Sequence, residues 1–424
     1  MSTPGPRTYL DNAATSFPKP PAVIAAMVNY AQTLGTSARG AYAETLESAR
    51  LVNVCRQRIA SLVGCPSPQH VVFTLNTTDA MNLAIHGVIG HALATRPGPI
   101  HIITSELDHN SALRPFNALV ESYPHRIQQS RVAFDPATGK LDPAAFARAV
   151  RPETVLVATL QASNVTGVIQ PIAEIAEAIK SRPGCKPLFL LDAAQSLGHV
   201  ESDMAAMGVD LLAFPGHKGL LGPTGTGGLC IMPGVEHAMH TVRQGGTGFR
   251  SELEAMPEAL PERFEPGSHN TIGIIGLSEG VAYLSDRGHR SLRHHEIELG
   301  GLLLDGLMSM GHLGINVLGP ADIHQRVGVF SWTCEHIAPA MFGTALERDF
   351  GVLSRSGLHC APAVYKIYGA VTDGASAGAT RLSIGPFTTR EEILLALEAV
   401  GSIASGGRTS ALITTAVAEH SLAK

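Results

Sequence analysis

Residues 76–79, Asn-Thr-Thr-Asp, join an apolar strand-like run to a helix-like run. Free backbone N–H groups at a helix N-terminus, together with the hydroxyls of Thr77 and Thr78, can bind an anion such as a phosphate. The same residue types are also ordinary helix N-caps. The segment by itself therefore leaves an anion site and a simple cap both open.

Asp192 directly follows the apolar run 188–191 and precedes Ala-Ala-Gln. A carboxylate at the end of a buried strand is poorly solvated and needs a cationic partner. A protonated pyridine nitrogen would be such a partner. A helix cap or a structural salt bridge would explain the same residue.

Lys218 lies on a glycine-bounded turn, Gly216-His217-Lys218-Gly219, after another apolar run. A lysine in desolvated or cationic surroundings has a lowered pKa and can bind an aldehyde covalently. The glycine-rich stretch that follows, residues 222–228, lacks the Gly-Lys-Ser/Thr register of a nucleotide-binding loop. A β-turn with a surface lysine is the alternative interpretation.

Cys360 lies in the loop Arg355-Ser-Gly-Leu-His-Cys-Ala-Pro362. Because nearby cations lower the pKa of a thiol, Arg355 and His359 favour a nucleophilic thiolate at this position. A buried, unreactive loop cysteine is the alternative. Taken together, an anion site, a buried acid, a lysine and an arginine are the parts that pyridoxal 5'-phosphate requires.

Short apolar runs alternate with helix-like stretches between about residues 70 and 232, which is typical of an α/β sheet covered on both faces. The polar residues come just after the strands, where open α/β sheets bind ligands. Strands are predicted at 71–74, 100–103, 155–158, 188–191 and 211–214. After about residue 275 the pattern changes to long helices at 274–285 and 292–308, strands at 327–331 and 381–384, and a last helix capped near Thr389. We expect a smaller α+β domain there.

Composition excludes several other classes of protein. The 424 residues are 45% hydrophobic and 16% charged, which suits a large folded core rather than a disordered chain. With 31 basic and 36 acidic residues and no basic stripe, a nucleic-acid-binding function is not expected. No run approaches the roughly 20 apolar residues that span a bilayer, and residues 1–11 lack the apolar core of a secretion signal, so we expect a cytoplasmic protein without membrane contact.

The six cysteines and 19 histidines show neither a Cys-x-x-Cys nor another clear metal-binding spacing. We therefore predict no disulfide framework and no metal site.

Five motifs make the sequence similar to the class V aminotransferase superfamily, and closely similar to its cysteine desulfurase branch. They follow the family order over nearly the whole chain: Tyr-Leu-Asp-Asn-Ala-Ala-Thr at 9–15, Ser-Asn-Val-Thr-Gly at 163–167, Asp-Ala-Ala-Gln at 192–195, Gly-His-Lys at 216–218, and the loop 355–362. The short cysteine loop resembles those of group II (Suf-type) desulfurases and selenocysteine lyases. The resemblance implies fold type I of the pyridoxal-phosphate enzymes, with a mainly parallel seven-stranded sheet in a large domain (18–272) and a smaller α+β domain (1–17 and 273–424).

The resemblance also implies a role for each matching residue. Lys218 resembles the lysine that binds the cofactor aldehyde, Asp192 would pair with the pyridine nitrogen, and Gln195 with the ring oxygen. His109 resembles the catalytic histidine that stacks on the ring. Ser268 matches a residue that reaches the phosphate from a second subunit, which implies a homodimer. The remaining cofactor-binding residues implied are Thr77, Thr78, Asn164 and His217.

On the substrate side, Cys360 resembles the nucleophile that accepts sulfur as a persulfide, and Arg381 resembles the arginine that binds the substrate carboxylate through two hydrogen bonds. The other substrate-binding residues implied are Asn12, Ala13, Arg39, Asn164 and Arg355. Some positions depart from the family pattern, namely Pro215, Leu358, Ser268-His269 and 385–389. These departures leave the substrate and the sulfur acceptor more open than the cofactor.

The function that the resemblance implies is a pyridoxal-phosphate-dependent cysteine desulfurase, which converts L-cysteine to L-alanine and leaves a persulfide on Cys360. The resemblance also implies that the sulfur passes to an acceptor protein and serves iron–sulfur cluster assembly. Selenocysteine lyase is the first alternative. The second is an aminotransferase, lyase or epimerase in which Cys360 is not catalytic. The third, a non-enzymatic partner protein, is disfavoured by the intact Lys218, Asp192 and Arg381.

Overall fold

The computed structural model describes residues 7–36, 40–370 and 377–406. Its larger sheet has seven strands in the order β2-β8-β7-β6-β5-β3-β4. All neighbouring strands are parallel except β8, which is antiparallel to both β2 and β7. This confirms the predicted mainly parallel seven-stranded sheet. The strands are β2 (Val71–Thr74), β3 (Ile100–Ser105), β4 (Ile127–Val132), β5 (Thr154–Leu160), β6 (Leu188–Asp192), β7 (Leu211–Pro215) and β8 (Gly227–Ile231).

Helices cover both faces of this sheet. The side chains of α2, α5, α6 and α7 form the core on one face, and those of α3 and α4 form the core on the other. The helices of this part of the chain are α1 (Pro21–Thr33), α2 (Ala43–Leu62), α3 (Thr77–Thr95), α4 (Asn110–Ser122), α5 (Pro143–Ala149), α6 (Ile172–Lys180) and α7 (Thr271–Arg287). The two buried faces explain why the central strands read as continuous apolar runs.

A second sheet is antiparallel throughout, with strand order β12-β13-β10-β9. Trp332 and Phe342 are fully buried in its core. Its strands are β9 (Ile315–Val317), β10 (Val329–Cys334), β12 (Arg355–Gly357) and β13 (Ala379–Ser383), and its helices are α8 (His289–Ser309), α9 (Pro339–Phe350), α10 (Pro362–Ile367) and α11 (Arg390–Ala404). The smaller C-terminal α+β part of the predicted fold is thus present, and Thr389 forms the expected capping box of α11.

The N-terminal segment joins this smaller part, because β1 (Thr8–Tyr9) pairs in parallel with β11 (Val352–Leu353). The division into 18–272 and into 1–17 with 273–424 is our proposal. Helix α7 lies at the proposed boundary and packs against α1 and α2.

The topology brings the carboxyl ends of β2, β3, β5, β6 and β7 to one edge of the large sheet, because these strands all run in the same direction. Residues that follow different strands therefore meet there, as expected for the binding edge of an open α/β sheet.

Candidate active site

A cavity of about 260 Å³ lies at this edge of the sheet. Its side chains come from the segments that follow five different strands. The lining residues are Asn76, Thr77, Thr78, His109, Ser111, Leu160, Ala162, Asn164, Asp192, Ala194, Gln195, His217 and Lys218. Eight of the residues predicted for the cofactor site therefore surround one cavity.

Asp192 is the last residue of β6 and is only 5% exposed. The Ala194 N–H donates to its Oδ1 at 2.9 Å, and the Ser111 hydroxyl donates to its Oδ2 at a longer 3.3 Å. Burial raises the pKa of Asp192, while the Ala194 N–H, the Lys218 cation and the Ser111 hydroxyl act in the opposite direction. Within the described residues, no cation lies within ion-pair distance of this carboxylate. It can therefore accept a cationic partner inside the cavity.

Lys218 follows β7 on the turn that the sequence predicted, and its side chain lines the cavity. Burial lowers the pKa of Lys218 to about 8; Asp192 opposes this shift, and Arg381 and Arg355 add to it. A substantial fraction of neutral amine is thus available near pH 8. A neutral amine can attack an aldehyde or accept a proton, whereas an ammonium group can do neither.

His109 is the N-cap of α4, and its Nδ1 accepts the Ser111 N–H at 3.0 Å. Burial lowers the pKa of His109 to about 4, with Lys218 and Arg355 adding to the shift. The ring is therefore neutral at physiological pH. A neutral imidazole can stack on a flat ligand without adding to the positive charge of the site.

The N-terminus of α3 forms another wall of the cavity. Asn76 is its N-cap and accepts the Asp79 N–H at 3.0 Å, while Thr77 is buried and Thr78 is exposed to the cavity. The Nδ1 atom of His217 is buried there without a hydrogen-bond partner. Burial lowers the pKa of His217 to about 4, so its ring is neutral. These groups together could bind an anion.

The carbonyl oxygen of His217 fixes the turn that carries Lys218. It accepts the Ser16 N–H at 3.0 Å, the Thr15 hydroxyl at 3.0 Å and the Lys19 ammonium at 3.0 Å. The N-terminal segment of the chain thus orients the lysine turn.

Asn164 and Gln195 connect the cavity to the smaller part of the chain. Asn164 Nδ2 donates to the His359 carbonyl at 2.6 Å, while its Oδ1 is buried without a partner. Gln195 Nε2 donates to the Ala13 carbonyl at 3.0 Å. Next to Ala13, Asn12 Nδ2 donates to the Ser383 carbonyl at 3.2 Å, so Asn12 and Ala13 lie behind Gln195 rather than in the cavity lining.

Arg381 and Arg355 face each other across β13 and β12. Arg381 is 1% exposed; its Nη2 pairs with Asp11 at 2.9 Å, its Nη1 donates to the Asn164 carbonyl at 3.1 Å, and its Nε has no partner. Burial lowers the pKa of Arg381, and Asp11 opposes this. Neither arginine lines the cavity, but both act electrostatically on Lys218. The Nε–H group of Arg381 is thus buried and unsatisfied among the described residues.

Cys360 is an exposed free thiol. Its carbonyl accepts the Asn110 N–H at 2.8 Å, which places the cysteine loop against the start of α4 beside His109. Ser268 is also exposed and does not line the cavity. Arg39 lies outside the described residues.

Two polar residues in or beside the cavity were not predicted from the sequence. Ser111 contacts both His109 and Asp192, and its place two residues after His109 in the helix cap was a usable signal. Asp108 is 1% exposed and accepts the Ser105 N–H at 2.6 Å. Burial, with a smaller contribution from Asp192, raises the pKa of Asp108 to about 7.

Comparison with known protein families identifies the chain. The family model of class-V aminotransferases matches residues 8–395. The chain belongs to the class-V aminotransferase family. It is 34% identical over 403 residues to a probable cysteine desulfurase of Methanothermobacter thermautotrophicus, covering 94% of this chain and 95% of that protein. It is 31% identical to a cysteine desulfurase of Pectobacterium atrosepticum, with 92% and 91% covered.

Solved structures agree with this family assignment. The apo structure of a cysteine desulfurase from Thermococcus onnurineus superimposes with a TM-score of 0.84 at 28% identity, covering 94% of this chain and 95% of that chain. The expected fold type I and the expected enzyme of this family are thereby confirmed. Among the described residues, no helix has the length and apolar character needed to cross a membrane.

Proposed function

We propose that this class-V aminotransferase is a pyridoxal-phosphate-dependent cysteine desulfurase. The observation that carries the proposal is the juxtaposition of Lys218, Asp192 and a helix N-terminus in one cavity, with the Cys360 loop hydrogen-bonded to the helix that begins beside His109. The names of the relatives support the same activity.

The residues of the cavity fit the cofactor. Among the described residues, the buried Asn164 Oδ1 and His217 Nδ1 have no hydrogen-bond partner, and no cation lies within ion-pair distance of Asp192. Such groups cost free energy unless a ligand satisfies them. Asp192 would hold the pyridine nitrogen, Gln195 and Asn164 the ring oxygen, and Thr77, Thr78 and His217 the phosphate. When bound, pyridoxal phosphate supplies an electron sink for the substrate α-carbon.

The chain's own residues perform the remaining steps. Lys218, with its pKa lowered to about 8, binds the aldehyde and later moves a proton at the substrate α-carbon. Arg381, with Asn12, Ala13, Arg39 and Arg355 as proposed neighbours, would bind the carboxylate. The Cys360 thiolate attacks the substrate sulfur, so that an S–S bond forms while the substrate Cβ–S bond breaks. The released electron pair stays on the carbon fragment, which takes up a proton and leaves as L-alanine.

The exposure of Cys360 supports transfer of its persulfide to an acceptor protein, as in iron–sulfur cluster assembly. All six cysteines are free thiols, which supports a reducing compartment such as the cytoplasm.

A homodimer is part of the proposal. Ser268 is exposed and would reach the phosphate of a partner subunit. Large apolar side chains are exposed on and near α1, namely Phe17, Ile24, Val28, Tyr42 and Leu46, and a second copy would remove them from water. Light scattering should show a dimer, and Ser268→Ala should weaken cofactor retention. A fully active monomer would contradict the shared site.

The decisive experiment uses Cys360→Ser, with Cys334→Ser as the matched control because Cys334 is also a partly exposed free thiol. Cys360→Ser should abolish sulfide release from L-cysteine while the cofactor stays attached to Lys218, as located by borohydride reduction and peptide mapping. Cys334→Ser should behave as the wild type. Mass spectrometry should detect one added sulfur on Cys360 after brief exposure to L-cysteine.

Full sulfide release by Cys360→Ser, or inertness toward L-cysteine, would refute the proposal. Running L-selenocysteine in parallel tests the selenocysteine lyase alternative. Attachment of the cofactor to another lysine would refute the role of Lys218 alone.

A further inference from the structure

The backbone that carries Cys360 is strained. His359 and Cys360 have φ values of 47° and 57°, so two consecutive residues other than glycine adopt the left-handed conformation. Such a conformation costs free energy in L-amino acids and persists only where the surroundings enforce it. Contacts that enforce it must therefore exist around this dipeptide.

One of these contacts comes from a residue that lines the cavity and another from a residue beside it. Asn164 Nδ2 donates to the His359 carbonyl at 2.6 Å, and the Asn110 N–H donates to the Cys360 carbonyl at 2.8 Å. These bonds fix the two carbonyl oxygens, but they leave the His359 side chain to be held by other groups.

The His359 ring is 4% exposed and has a partner for each nitrogen. Its Nε2 lies 3.4 Å from the Arg355 carbonyl, and its Nδ1 is hydrogen-bonded to the Tyr365 hydroxyl. Because a carbonyl can only accept, Nε2 carries the hydrogen, and Nδ1 of the neutral ring must accept from the Tyr365 O–H. Burial, with the Arg381 charge, also lowers the pKa of His359 and keeps the ring neutral. The expectation that a His359 cation favours the Cys360 thiolate was therefore wrong.

We infer that Tyr365 is a positioning residue for the Cys360 thiol and acts through His359. Tyr365 is fully buried in α10 and does not line the cavity, so it has no direct contact with a ligand there. Its hydroxyl selects one tautomer and one orientation of the His359 ring. The ring in turn holds the left-handed backbone from which the Cys360 thiol projects. The inference rests on the proposed function for its kinetic consequence, since a displaced thiol attacks sulfur more slowly.

The test compares Tyr365→Phe with Tyr368→Phe. Tyr368 is the C-cap of the same helix, and its hydroxyl is buried without a hydrogen-bond partner in the described residues, so its loss breaks no hydrogen bond there. In the cofactor-loaded enzyme, Tyr365→Phe should lower kcat for sulfide release about tenfold, which corresponds to ~1.4 kcal/mol. KM and cofactor attachment should stay within twofold of the wild type, and Tyr368→Phe should match the wild type.

A second measurement does not depend on the desulfurase reaction. The rate at which iodoacetamide alkylates Cys360 in the cofactor-loaded protein, followed by peptide mapping, reports the setting of the thiol directly. Tyr365→Phe should change this rate at least threefold relative to Tyr368→Phe. Equal alkylation rates in the two variants would overturn the inference whatever the substrate is. A wild type that forms no persulfide on Cys360 would instead refute the proposed function.

Substitution of His359 provides a rescue test. His359→Asn keeps an acceptor near the position of Nδ1 and tolerates a left-handed backbone, whereas His359→Leu does neither. His359→Asn should therefore retain several-fold more kcat than His359→Leu at similar melting temperature. Equal losses in both variants would show that the hydrogen bond to Tyr365 does not position Cys360.

Discussion

Asp192 and Glu296 are both buried carboxylates, but the protein surrounds them with different groups. Glu296, on α8, accepts hydrogen bonds from His199 Nδ1 at 2.6 Å and from the Gly328 N–H at 2.7 Å. It also forms an ion pair with Arg293. Among the described residues, Asp192 accepts hydrogen bonds only from the Ala194 N–H at 2.9 Å and the Ser111 hydroxyl at 3.3 Å. The first acid is satisfied by the protein itself and the second is not.

The pKa values of the two acids shift in opposite directions. Burial alone would raise the pKa of Glu296, but His199, Arg293 and the Gly328 N–H together lower it. For Asp192 burial prevails and the pKa is raised. Removing a buried acid that is paired with a cation destabilises the fold, whereas a buried acid without a cation is available to a ligand.

The largest effect is expected for Asp192→Asn. The substitution keeps the shape of the side chain but removes the charge that would hold a protonated cofactor nitrogen. Breaking a buried charge pair typically costs about 3–5 kcal/mol, so kcat/KM should fall by about three orders of magnitude. The measurement is steady-state sulfide release from L-cysteine by the cofactor-saturated variant. Near-normal turnover would exclude this role of Asp192.

The next effect is on stability and concerns Glu296→Gln. The variant leaves the half-buried Arg293 without its anion and His199 without a charged acceptor, so the free energy of unfolding should fall by about 1–3 kcal/mol. Urea unfolding of the cofactor-free protein measures this loss of stability. Glu47→Gln is the control, because Glu47 forms an ion pair with Arg50 on the exposed surface. The folded Glu296→Gln enzyme should keep its turnover. If Glu296→Gln lost activity without losing stability, Glu296 would act in the reaction rather than in the fold, and the contrast with Asp192 would be wrong.

The difference in stability between the wild type and each of these two variants should change with pH in opposite directions. The lowered pKa of Glu296 contributes stability that is present above about pH 4.3 and is lost as the pH falls through the folded-state pKa. The raised pKa of Asp192 does the reverse: the cofactor-free wild type should lose stability relative to Asp192→Asn as the pH rises from about 4. Urea unfolding between about pH 3 and pH 8 checks both trends, because the Glu296 trend lies below its unfolded-state pKa of about 4.3. Parallel curves for the two variants would contradict the assignment.

The comparison also explains which site residues the sequence could reveal. Asp192 was predictable because it directly follows an apolar strand, and the residues after neighbouring parallel strands must meet at one edge. The role of Glu296 was not predictable, because His199 and Gly328 lie far from it in the chain. Ser111 was missed because its contact with Asp192 spans 81 residues, although its place two residues after His109 was a usable signal. Tyr365 is only six residues from His359, but the sequence does not show that its hydroxyl meets the His359 ring.

The same reasoning applies to the strands. Five predicted strands agree with β2, β3, β5, β6 and β7 because burial on both faces leaves a continuous apolar run. Strand β4 was missed because its sequence, Ile-Gln-Gln-Ser-Arg-Val, is polar and it lies at the edge of the sheet. Strand β8 begins with two glycines, which are required by packing: a Cβ on Gly228 would lie 2.5 Å from the Phe214 ring. Its glycines resemble a loop when only the sequence is considered.

The smallest effect is expected for Ser111→Ala. This variant tests how much the longer of the two hydrogen bonds to Asp192 contributes to orienting its carboxylate. The Ser111 hydroxyl donates to Asp192 at 3.3 Å, near the upper limit for a hydrogen bond, and contacts His109 Nδ1 at 3.0 Å. Hydrogen bonds of this kind contribute about 1 kcal/mol, so kcat/KM should fall roughly fivefold, far less than for Asp192→Asn. Ser122→Ala is the matched control, because Ser122 ends the same helix and, among the described residues, its hydroxyl donates only to the Ala118 carbonyl on the exposed surface. A loss as large as that of Asp192→Asn would mean that Ser111, rather than the cavity as a whole, sets the charge of Asp192. No loss at all would mean that the Ala194 N–H is sufficient to orient the carboxylate.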